Sequence, residues 1–123
     1  GVKVLLAEDN ELNQEVARIL LEEEGAEVFC VNNGQKAVEV FSTHPAGSYD
    51  LILMDIKMPN LDGLEATKII RELSATVPII AQSAFAYEQD RKAAKEAGCN
   101  DFIAKPIADD KLKAMIHKWL SPP

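Results

Sequence analysis

Five short runs rich in Val, Ile and Leu alternate along the chain with longer amphipathic segments, and no internal repeat or low-complexity stretch interrupts them. The runs cover residues 2–7, 27–31, 51–54, 77–82 and 101–104. Apart from the second they lack polar alternation, which is the mark of parallel strands covered by helices on both faces. The segments between them carry helix boundaries. Asp62-Gly63-Leu64-Glu65 has capping-box spacing, Asn33 can cap a helix running through Val40, and Gly25 and Gly98 stand where helices stop. The last segment, 109–120, presents Leu112, Met115, Ile116 and Trp119 at helical spacing, a stripe read as core.

Five β-α units in sequence, joined by right-handed crossovers, predict a flavodoxin-like, doubly wound α/β sandwich. Its five-stranded parallel sheet has the order 2-1-3-4-5, with five helices on its two faces. Ligands of such sheets bind beyond the carboxyl ends of the strands, where the strand order reverses. Glu8, Asp9, Asp55, Ser83 and Lys105 all fall at strand ends on that one edge.

The first helix is apolar over too wide an arc. At about 100° per residue, Leu12, Val16, Ala17, Ile19, Leu20 and Leu21 span roughly 200°, whereas packing on a sheet face needs little more than ~100°. Val16, Ala17, Leu20 and Leu21 are the expected core set. Leu12 and Ile19 are expected to be exposed, near the acidic loop.

Length and composition narrow the function. The 123 residues suit one domain, 47% hydrophobic and 27% charged, and the formal charge of −7 repels a phosphate backbone, so no direct nucleic-acid contact is expected. No apolar run approaches the roughly 20 residues that span a bilayer, and the N-terminus lacks a signal-peptide pattern, so a cytoplasmic location without membrane contact is expected for this domain. A parent protein anchored in a membrane is compatible with that. The start at Gly1 without Met and the end at Ser121-Pro122-Pro123 suggest a piece of a longer protein, with 1–120 folded and 121–123 a linker remnant. Cys30 and Cys99 show no metal-like spacing and are expected to be reduced and structural.

The strand-end residues carry the chemistry. Glu8 and Asp9, taken alone, are ordinary acids before a helix. Asp55 is different, because it ends an apolar central strand, where a carboxylate loses hydration and needs a counter-charge or a metal. Three converging carboxylates repel one another by about 4 kcal/mol per pair at ~4 Å and an effective dielectric of ~20. Hard oxygen ligands without nearby His or Cys suit Mg²⁺, which retains waters and leaves room for phosphate oxygens. Lys105 supplies a second cation, able to pair with Asp55 before reaction and with a phosphoryl oxygen afterwards. Ser83 can donate its hydroxyl to another oxygen. A nucleophile, a metal, a lysine and a hydroxyl around one phosphorus are the parts that phosphoryl transfer requires.

Ala7-Glu8-Asp9-Asn10, Met54-Asp55-Ile56-Lys57-Met58-Pro59, Asp62-Gly63 and Lys105-Pro106 together resemble the receiver domain of two-component response regulators, over essentially the whole chain. Residues 8–13 and 54–67 look most like receivers fused to hybrid histidine kinases. The resemblance implies that Asp55 accepts a phosphoryl group from a phosphohistidine on a histidine kinase or a histidine phosphotransfer domain, the receiver catalysing its own phosphorylation and dephosphorylation. It further implies that Asp9, Asp55 and the Lys57 carbonyl bind Mg²⁺, that Glu8 holds a metal-bound water, and that Lys105 and Ser83 contact the phosphoryl group. Ser83 and Phe102 would form a switch acting on the surface around the fourth strand, fourth helix and fifth strand. Lys57 and Phe85 would tune the acyl phosphate's lifetime, and the Lys105-Pro106 bond would be cis. Separately, the surplus apolar arc of the first helix leads to the expectation that Leu12 and Ile19 dock the apolar flank of the donor's helical bundle, scattered surface apolar residues being the plain alternative; the isolated domain is expected to be monomeric. Ala108 departs from the pattern, standing where a capping Ser or Asp is more usual.

Three other readings compete. A flavin-binding electron-transfer module shares the fold order, but Glu8 and Asp9 would repel the flavin phosphate. A phosphatase with an aspartyl nucleophile would carry a second acid where Lys57 stands. A receiver-like module that is never phosphorylated would not need the full set of Glu8, Asp9, Asp55, Ser83 and Lys105.

Overall fold

A computed structural model describes residues 2–44, 47–56, 62–84, 87–105 and 107–120. Strands and helices alternate throughout: β1 (Lys3–Ala7), α1 (Glu11–Glu23), β2 (Glu27–Val31), α2 (Gly34–Thr43), β3 (Leu51–Asp55), α3 (Gly63–Leu73), β4 (Ile79–Ser83), α4 (Glu88–Ala97), β5 (Asp101–Ala104) and α5 (Asp109–Leu120). The strands form one sheet in the order β2-β1-β3-β4-β5, every pairing parallel. The predicted order and alternation are therefore those of the molecule.

Period-two alternation splits the core into two layers. Leu5, Ile52, Met54, Ile79 and Ala81 pack against Ala37, Ala66, Ile70 and Ala94 of α2, α3 and α4. Val4, Leu6, Leu51, Leu53, Ile80 and Ile103 face Ala17 and Leu21 of α1 and Leu112 and Ile116 of α5. Met115 and Trp119 pack at the margin of that second layer, so the stripe expected on the last helix is its core face.

The element ends have local causes. Asn10, Asn33 and Asp62 cap α1, α2 and α3 by accepting the backbone N–H of Asn13, Lys36 and Glu65 at 3.0, 2.8 and 2.9 Å. α2 continues past Val40 to Thr43, where the Ser42 and Thr43 hydroxyls donate back to the Glu39 carbonyl. β4 begins at Ile79, later than its apolar run, because Pro78 has no N–H to give the ladder; its carbonyl accepts the Ile52 N–H at 2.9 Å. Ala108 offers no side-chain cap, yet its carbonyl accepts the Leu112 N–H and α5 forms. Gly98 closes α4 at φ 117°, a conformation that a side chain would strain.

Two expectations about packing are corrected. Val16 is not core: it is 43% exposed, beside Leu12 at 69% and Ile19 at 44%. Those three residues, at i, i+4 and i+7, form one stripe, while Ala17 and Leu21 form the buried one and Leu20 sits between them. Cys30 is not structural either. It is exposed on β2, an edge strand, and only Cys99 is buried; neither forms a disulfide.

Candidate functional site

The carboxyl ends of β1, β3 and β5 converge because the chain reverses its order at β1 and β3. Glu8 follows β1 and is buried, Asp9 is exposed beside it, and Asp55 ends β3 with 2% exposure. Carboxylate oxygens of these three residues lie within 4.8 Å of one another. Lys105, one residue beyond β5, places its Nζ 2.6 Å from Glu8 Oε1 and donates to Asp55 Oδ2 at 2.8 Å. The Glu8 contact is a close ion pair through Oε1, whereas Glu8 Oε2 is buried without a hydrogen-bond partner among the described residues.

Burial pushes the Glu8 carboxyl up to about 8; the adjacent Asp55 carboxyl adds to the shift and Lys105 only partly offsets it. Burial alone would lower the Lys105 ammonium, but Asp55 and Glu8 outweigh it and hold that group above its ordinary value. Among the described residues one ammonium, that of Lys105, pairs with the acid cluster, and a hard divalent cation would relieve the remaining repulsion. The donor set, three carboxylates with no imidazole or thiolate in the cluster, fits Mg²⁺.

Two backbone features hold the cluster. Gly63 opens α3 against the end of β3, where a Cβ would collide with the Asp55 carbonyl oxygen and come within 2.7 Å of Ile56 Cα. Gln14, which the sequence did not single out, donates from Nε2 to the Glu8 carbonyl at 3.1 Å and to the Val31 carbonyl at 3.2 Å. It thereby ties the acidic loop to the end of β2. No sequence signal marks Gln14, since its role needs β1 and β2 to be neighbours.

Ser83 is the last residue of β4 and is 1% exposed; its carbonyl accepts the Lys105 N–H at 2.8 Å. Phe102 is buried, with the Arg91 guanidinium 4.9 Å from its ring centre. Gln82, also missed, is buried in β4 beside Asp55. Its signal was available: one amide ending an apolar run. Lys57, Phe85 and the Lys105-Pro106 bond lie outside the described residues.

Known proteins resemble the chain along nearly its full length. A family model for the response regulator receiver domain matches residues 4–117. The osmosensing histidine protein kinase SLN1 of Saccharomyces cerevisiae is 42% identical over 97% of this chain, which spans 10% of that kinase. The polar-differentiation response regulator DivK of Brucella anthropi is 37% identical, with 95% of this chain and 94% of that protein covered. The chain thus spans about a tenth of the length of the curated kinases it matches, and nearly all of a stand-alone regulator. Among solved structures, the receiver domain of a Pseudomonas aeruginosa sensor histidine kinase, with a magnesium ion coordinated in its active-site cleft, superposes with a TM-score of 0.90 at 39% identity, covering 99% of both chains. The receiver domain of the response regulator Ssk1, co-crystallised with the histidine phosphotransfer protein Ypd1 of Saccharomyces cerevisiae, gives 0.87 at 32% identity, covering 96% of this chain and 88% of that one.

Proposed function

This chain belongs to the family of response regulator receiver domains, and from that membership we propose that Asp55 is its phosphoryl acceptor, working with Mg²⁺ and Lys105. The observation that carries the reading is the acid cluster itself: Glu8, Asp9 and Asp55 within 4.8 Å, with Lys105 bridging Glu8 and Asp55. The fold is that of a two-component phosphorelay receiver, and phosphorelay signalling is its function.

In the step proposed, an Asp55 carboxylate oxygen bonds to phosphorus as the P–N bond to the donor imidazole breaks. The imidazole leaves with that electron pair and takes its proton from solvent. Asp9 and Asp55 would hold Mg²⁺ directly and Glu8 through a water; the ion, when bound, neutralises charge among these oxygens and orients the phosphoryl group. Lys105 neutralises Asp55 beforehand and the transferred group afterwards. Ser83 would donate its hydroxyl to that group. Phe102, buried beneath Arg91, would read the change out to the surface of β4, α4 and β5.

The donor is proposed to be a phosphohistidine on a histidine kinase or a histidine phosphotransfer domain. Leu12 and Ile19 would dock the flank of its helical bundle, and Val16 extends their stripe. The receiver of Ssk1 meets Ypd1, a protein of this donor class, which supports the choice.

Intact mass after a small-molecule phosphodonor and Mg²⁺ tests the reading. Native protein should gain one phosphoryl group, labile to alkali and hydroxylamine, and lose the gain when Mg²⁺ is chelated. Asp55→Asn should gain none, and undiminished phosphorylation of that variant refutes the assignment.

A further inference from the structure

Gln82 breaks the apolar pattern of the central sheet. It is 1% exposed, it lies in register between Asp55 of β3 and Ile103 of β5, and neither its Nε2 nor its Oε1 has a hydrogen-bond partner among the described residues. A buried amide unmatched at both ends costs folding free energy that Met or Leu in the same place would not. Such a group at the rim of a site points to a partner supplied in another state of the protein.

The neighbours identify that partner. Gln82 lines a pocket of about 240 Å³ together with Glu8, Lys105, Leu12, Asn13, Val16 and Ile107. Glu8 Oε2 also has no hydrogen-bond partner among the described residues, and the cation beside Oε1 is Lys105, shared with Asp55. A phosphoryl group on Asp55 would concentrate negative charge there and draw the ammonium to its oxygens. Glu8 would then lose its direct ion pair with Lys105 while still being needed as an anion to hold the metal-bound water. The side chain able to replace that contact is the amide already waiting in the same pocket.

We propose that Gln82 is a positioning residue of the phosphorylated state: its Nε2–H becomes the donor to Glu8 when Lys105 turns to the phosphoryl group, and its Oε1 accepts from the Lys105 ammonium. The inference rests on Asp55 as the acceptor. It assigns Gln82 a role in holding the product of the reaction, with no contact to phosphorus.

The test compares native protein with Gln82→Met and Gln82→Leu, using beryllofluoride with Mg²⁺ as an unreactive phosphoryl mimic. Without ligand, the thermal midpoints of both variants should equal or exceed the native value. The Mg²⁺ Kd should stay within about twofold, while the beryllofluoride Kd weakens about tenfold, the loss expected of one hydrogen bond to a charged group. Unchanged beryllofluoride affinity in both variants overturns the proposal. So does a lowered midpoint of both variants before ligand is added, because the amide would then be satisfied in the resting protein. Native protein that neither takes a phosphoryl group nor binds beryllofluoride refutes the acceptor reading, and the role of Gln82 with it. A failure confined to the variants leaves Asp55 as the acceptor.

Discussion

Glu8 ties proton binding to metal binding. Its carboxyl stands at about 8 in the folded chain against 4.5 when unfolded, so the metal-free fold keeps a proton that the unfolded chain releases. The sign follows directly. The contribution of Glu8 to stability is complete below about pH 4.5, declines as pH rises, and is gone above about pH 8. Urea midpoints of metal-free protein should show that decline, and Glu8→Gln should remove it. A divalent cation favours the ionised carboxylate, so Mg²⁺ affinity measured by calorimetry should rise by up to about tenfold per pH unit below the Glu8 value and level off above it. At Gly63 the constraint is steric. Gly63→Ala would push a Cβ onto the Asp55 carbonyl and Ile56 Cα, and the clash involves backbone that cannot turn aside. A loss of more than about 2 kcal/mol is expected by chemical denaturation, together with weakened Mg²⁺ binding, since the displaced backbone carries Asp55.

At the scale of elements, α1 carries two apolar stripes, one buried and one exposed. Ala17 and Leu21 hold it to the sheet, whereas Leu12, Val16 and Ile19 leave an exposed apolar row running from the acidic loop. Leu12→Ala with Ile19→Ala should slow transfer from a protein phosphodonor severely, leaving small-molecule phosphorylation and stability nearly unchanged. Adding Val16→Ala should deepen the defect, because Val16 belongs to the exposed row. Ala17→Leu should instead lower stability by about 1–3 kcal/mol, since it overfills a closed contact. A comparable loss with both donors would remove the docking role from α1. The six apolar positions were all visible in the sequence; which of them face the sheet depended on the helix's rotation about its axis, which the sheet surface sets.

Across the whole molecule, stability and chemistry occupy opposite ends of the sheet. At the end away from Asp55, Arg71 donates to the carbonyls of Gly98, Ser74 and Val77 at 2.8, 3.2 and 2.7 Å and to Asn100 Oδ1 at 2.6 Å. Asn100 Oδ1 also accepts the Ile79 N–H, so one guanidinium ties the loops that enter β4 and β5. Arg71→Met should cost about 2–4 kcal/mol by denaturation, with three backbone carbonyls losing a charged donor, yet leave Mg²⁺ affinity and phosphorylation at native levels.

Much of this could be read from the chain alone. Apolar runs without alternation require strands covered on both faces, and alternation with helices narrows the topologies to a few, of which the order 2-1-3-4-5 is one; parallel strands then put Glu8, Asp9, Asp55, Ser83 and Lys105 at one edge. Caps at Asn33 and Asp62 were legible because they act within three residues. Gln14 and Arg71 were not, because each acts on backbone distant in sequence; Gln82 stood out as an amide ending an apolar run, but its neighbours are set by the sheet. The exposure of Val16 and Cys30 was likewise decided by packing: a helix's rotation and a strand's place at the edge depend on neighbours that no local pattern names. Local sequence determined which elements form and which residues end them. Tertiary structure decided which groups are buried, because burial is a property of the whole assembly, and from it come the raised Glu8 carboxyl and the Gln82 amide that has no hydrogen-bond partner among the described residues.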